Sequence, residues 1–140
     1  MQPQKKVMVN INLALGRKIN ERLLLTSGEH SSDTAYRVQI LVIGGKEARE
    51  MVASAIDVDH STMQSVSSLE MAVDEIQRGN VPDIIVMDES ASHQEVLEFL
   101  STSGIDALIP LIPVQSKALK PEPRALRSMI RELSPAFVFA

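Results

Sequence analysis

The chain alternates apolar runs with amphipathic segments along most of its length. Val7, Ile11, Leu15, Ile19 and Leu23 recur at every fourth position, and Met8, Leu13 and Leu24 widen the stripe. This predicts an amphipathic helix of about twenty residues over 5–25, ~30 Å long at 1.5 Å per residue. Val7, Val9 and Ile11 also alternate, the pattern of a strand over 6–13, but the longer series favours the helix. Gly16 in its middle either costs ~1 kcal/mol relative to Ala or permits close approach of a neighbour.

A polar stretch, Thr26 to Tyr36, reads as a connector. Val38 to Ile43 is a buried strand stopped by Gly44-Gly45, and Lys46 to Ile56 is a helix with Ala48, Met51, Val52, Ala55 and Ile56 on one side. Thr62 to Val66 is a more polar strand suited to a sheet edge. Ser68 caps a helix that runs to about Arg78, with Leu69, Ala72, Val73 and Ile76 inward, and Gly79-Asn80 stops it. Pro82-Asp83 then introduces Ile84-Ile85-Val86-Met87, a run of the kind buried on both faces of a parallel sheet.

A helix from Ser92 carries Val96, Leu97 and Leu100 and stops at Gly104. Ala107 to Val114 is a strand containing Pro110 and Pro113, which push it to an edge or a bulge. Arg124 to Leu133 is a short helix with Leu126, Met129, Ile130 and Leu133, and Ala136 to Phe139 is a fifth strand. The order is helix, then β-α-β-α-β-α-β-α-β. Such alternation implies an α/β protein, a doubly wound parallel sheet with right-handed crossovers.

Composition narrows the classes. A length of 140 residues suits one core, and with three Phe, one Tyr and no Trp that core is aliphatic. The lack of Cys excludes disulfides and thiolate metal sites. No apolar run approaches the ~18 residues of a membrane span. No secretory pattern opens the sequence, so a cytoplasmic location is expected. Residues 1–37 carry six Lys/Arg against three Asp/Glu, 38–116 three against thirteen, and 117–140 five against two. An acidic middle lies between two basic ends. Neither end has the basic density or the aromatic residues that nucleic-acid binding uses, so no nucleic-acid partner is expected.

Asp88 is the first polar side chain after the central apolar run. In an open parallel sheet, ligands and chemistry sit beyond the carboxyl ends of the strands, which is where Asp88 stands. Gly44-Gly45 follows another strand but has neither the Gly-x-Gly-x-x-Gly nor the Gly-Lys-Ser/Thr spacing of a nucleotide loop, and reads as a tight turn. His30, His60 and His93 are scattered through loops or at a helix start, so no metal site is expected. No Gly-x-Ser-x-Gly elbow is present. Asp88-Glu89 reads as a solvated turn rather than an acid/base pair.

Arg37 to Ile43 resembles the first strand of the receiver (CheY-like) domains of bacterial two-component signalling. Pro82 to Asp88 resembles their third strand, in which Pro-Asp and an apolar run precede the phosphate-accepting aspartate. The resemblance covers about 37–140. It implies a five-stranded sheet of order 2-1-3-4-5 with Asp88 at the acceptor position. Where active receivers hold Mg²⁺ with an acidic pair after the first strand, this sequence has Gly44 and Gly45. Ser116 is the candidate for the switch hydroxyl. The family's Lys after the fifth strand and its last helix have no counterpart, and Lys120-Pro121 falls before the last helix instead.

These departures imply an atypical, non-phosphorylated pseudo-receiver, a protein-interaction or localisation module rather than an enzyme, working without a cofactor. Such domains occur at the front of ATPases that position pilus-assembly machinery. The expected partner is a protein, with a homodimer and an assembly ATPase as the options. The alternative is a phosphorylatable response regulator using Asp88, and last comes a small enzyme or ligand-binding domain using the Gly44/Asp88 crevice. The expected organisation is a helix and connector over 1–36 and a receiver-like domain over 37–140. The stripe Val7, Ile11, Leu15, Ile19 and Leu23 is expected to replace the missing last helix on the sheet face shared with residues 46–56, or to dock on a partner or a second copy.

Overall fold

The computed structural model describes residues 3–26, 37–56, 59–88, 93–105, 108–114 and 123–134. In chain order these form α1 (Pro3–Thr26), β1 (Val38–Ile43), α2 (Lys46–Ala55), β2 (Ser61–Val66), α3 (Leu69–Gln77), β3 (Ile84–Asp88), α4 (His93–Ser103), β4 (Leu111–Val114) and α5 (Pro123–Leu133). The four strands make one parallel sheet of order β2-β1-β3-β4. Ile40 to Ile43 of β1 align with Ile84 to Met87 of β3, so the two most apolar strands lie side by side at the centre. Among the described strands the polar β2 stands at one end of the order and the proline-bearing β4 at the other. The expected fifth strand, 136–139, lies outside the described residues.

Because side chains alternate across a strand, the central strands feed two cores. Leu41, Ile43, Ile85 and Met87 meet α1, α3 and α4 through Ile11, Ala14, Ala72, Ile76, Val96 and Leu100. Val38, Ile40, Val42, Ile84 and Val86 meet α2 and α5 through Ala48, Val52, Ala55, Leu126 and Ile130. The local signals act as their chemistry requires. Ser68 Oγ accepts from the Met71 amide at the start of α3. At its end Gly79 takes φ +97°, and the amides of Gly79 and Asn80 donate back to the carbonyls of Ile76 and Glu75, a Schellman stop.

The placement of the outer helices differs from the expectation. The helix sharing a face with α2 is α5, pinned by Arg127, whose Nε donates to the Ala55 carbonyl at 2.9 Å and whose Nη2 donates to that of Ser54 at 3.4 Å. A guanidinium at those last carbonyls satisfies groups that the helix itself leaves unpaired and complements its dipole. The α1 helix lies on the opposite face, so it does not stand in for a missing last helix beside α2. The α3 and α4 crossovers both pack on the α1 face.

The stripe on α1 is also corrected. A strict every-fourth-residue series drifts ~40° per step around a helix with 3.6 residues per turn. Ile11 is fully buried, Leu15 is half-buried, and Ile19 and Leu23 are 45% and 62% exposed. The side chain of Val7 lies outside the described residues. The face that enters the protein runs through Ile11, Ala14, Lys18 and Arg22, and its last two members are charged.

Candidate functional site

Asp88 ends β3 at the carboxyl edge of the sheet and is buried. Gly44, which follows β1, lies directly against it. A β-carbon on Gly44 would stand 2.8 Å from the Asp88 Cβ and 3.0 Å from the Ala48 Cβ, closer than side chains tolerate. Glycine therefore serves here by close approach: the chain leaving β1 packs on the strand end that carries the carboxylate. Gly45 stands in open space as the N-cap of α2. A dish of about 280 Å³ opens beside this turn, lined by Gly44, Gly45, Lys46, Arg49, Ser65 and Ser67. Its charged side chains are cationic.

The residues present do not fit the Mg²⁺ ion of an active receiver. A hard divalent cation requires several oxygen ligands, mainly carboxylates. The position of the acidic pair has no room for a β-carbon at Gly44, and the adjoining lining offers Lys46 and Arg49. Among the described residues no group of three potential His, Cys, Asp or Glu ligands converges. Ser116 and Lys120-Pro121 lie outside the described residues.

A second ionic constellation lies at the opposite, amino-terminal edge of the sheet. Asp83 immediately precedes β3 and its carboxylate is fully buried. Its Oδ1 accepts from Arg22 Nη2 at 2.7 Å and lies 3.2 Å from Lys18 Nζ, while its Oδ2 accepts from the Gln39 amide at 2.8 Å. Lys18 Nζ also donates to Gln39 Oε1 at 3.3 Å. The backbone returns the bond, the Asp83 amide donating to the Gln39 carbonyl at 2.7 Å. One carboxylate thus ties together β1, β3 and α1. Sequence reading singled out neither Lys18 nor Arg22, and used Asp83 only as the lead-in to the β3 run. The available signal was spacing, since Lys18 and Arg22 continue the helical face of Ile11 and Ala14.

These features define a parallel α/β protein with strand order 2-1-3-4 over its described strands, compatible with a flavodoxin-like arrangement. No described helix is long and apolar enough to cross a membrane. No family model, curated protein or solved structure matches the chain.

Proposed function

We propose that this chain is a receiver-like interaction module that does not take up a phosphoryl group. The observation that carries the reading is the packing of Gly44 on Asp88, which leaves no space for a metal-holding carboxylate at that position. Without a cation, the charge that develops on a phosphoryl group in transfer goes largely uncompensated. The solvent-facing apolar residues of α1, among them Val9, Leu13 and Leu23, support a protein partner. The module is cytoplasmic and non-enzymatic in this reading, and its partner is either a second copy or an assembly protein such as an ATPase.

The test is incubation with acetyl phosphate and Mg²⁺ followed by intact-mass spectrometry, alongside a beryllofluoride titration followed by NMR. The expected result is no adduct and no shift at Asp88. A stoichiometric, Mg²⁺-dependent adduct on Asp88 would make the chain a phosphorylatable receiver instead.

A further inference from the structure

The face of α1 that points away from the sheet has its own periodicity. Val9, Leu13, Gly16, Asn20 and Leu23 are separated by four, three, four and three residues, the a/d spacing of a coiled-coil seam, and all five are exposed. None is charged. The protein's own core takes up the opposite side of the same helix through Ile11, Ala14, Leu15 and Lys18. The helix therefore presents two faces: one docked on the sheet, the other patterned for another helix.

We infer that this outer face binds a second copy of the chain, the two α1 helices running parallel and in register with Asn20 opposite Asn20. Three observations favour this occupant. With Leu13 and Asn20 at a positions and Val9, Gly16 and Leu23 at d, the face carries a single polar residue in an a position, the device that fixes register and a two-stranded state. The flanking positions match in the parallel arrangement, where each g residue meets the e residue five places on in the other helix. Ile19 then meets Leu24 of the copy, both about half exposed, and Asn12 meets Arg17. A methyl group placed on Gly16 meets no atom within 4 Å, so a second backbone can approach closely there. The seam from Val9 to Leu23 is only ~21 Å long, which puts it among small, reversible interfaces rather than obligate ones.

This inference rests on the reading of the chain as an interaction module and names its partner. Sedimentation equilibrium of the full chain over a concentration series is expected to show a reversible monomer–dimer transition. Leu13→Glu and Leu23→Glu should each weaken it by roughly tenfold or more while leaving the melting temperature of the dilute monomer unchanged. Asn20→Ile should tighten association, because a buried Asn at an a position lowers stability. The chain has no Cys, so Asn20→Cys should crosslink to itself under mild oxidation. A monomer at every concentration overturns the inference. So does a dimer that Leu13→Glu leaves intact, or one in which Asn20→Cys fails to crosslink. A melting temperature lowered by Leu13→Glu at a concentration where the native chain is monomeric also overturns it, by showing that the chain covers this face itself. A monomer that still resists phosphorylation removes the dimer alone. An Asp88 adduct on an intact dimer removes the non-phosphorylated reading alone.

Discussion

Replacing Asp83 with Ala tests how α1 is held. In the native protein a fully buried carboxylate lies 3.2 Å from Lys18 Nζ and 2.7 Å from Arg22 Nη2, with the Lys18 side chain only 3% exposed. The gross attraction across 3.2 Å is ~5 kcal/mol at an effective dielectric of ~20. Desolvation of both ions offsets much of it, so the intact network adds little net stability. Removing one partner is a different matter. The substitution leaves the Lys18 ammonium buried without its carboxylate and takes the acceptor from the Gln39 amide. The expected loss is ~3–5 kcal/mol, a large share of the ~5–15 kcal/mol that holds a domain together. At ~3–4 °C per kcal/mol for a chain of this size the midpoint should fall by about 10–20 °C. Urea unfolding followed by circular dichroism measures the first quantity and a thermal melt the second. Replacing the whole network by apolar residues, Lys18→Met, Arg22→Met and Asp83→Leu together, should recover most of the loss, because no buried charge is then left alone. A loss below ~1 kcal/mol for Asp83→Ala, or no recovery in the triple variant, would refute the reasoning.

Gly44→Ala should cost ~1–3 kcal/mol by overpacking against Asp88 and Ala48, whereas Gly45→Ala, with nothing within 4 Å, should stay within ~0.5 kcal/mol by chemical denaturation. The Asn80 side-chain Nδ2 donates to Glu75 Oε2 at 2.8 Å and, with Gln64 and Arg78, holds the Glu75 carboxyl below its ordinary value. A lowered folded value means that this contribution is fully present above the unfolded value and is lost as pH falls through the folded one; NMR titration of Asn80→Ala should return Glu75 toward the ordinary carboxylate range and remove that part of the acid dependence.

Patterns that depend on a period survived the passage from sequence to structure, and those that depend on a partner did not. The runs at Val38–Ile43 and Ile84–Met87 announce buried parallel strands because no other setting covers both faces of such a run. Those two strands do lie adjacent at the centre of the sheet. Ser68 and Gly79 carry their own geometry, and each does what its side chain or lack of one permits. The placement of α1 required more. Its every-fourth-residue series winds around the helix, so no flat surface can bury all of it. Which part goes inward is decided by where a compensating charge stands. Asp83, at the entry to β3, makes burial of Lys18 and Arg22 possible, and a single amphipathic pattern contains no record of that. The same choice turns Leu13 and Leu23 outward. The buried ionic network and the solvent-facing heptad are therefore two consequences of one rotation of the helix. Loosening the first by Asp83→Ala should also disturb the second, and sedimentation of that variant at a temperature where it is still folded would detect the coupling as a weaker dimer.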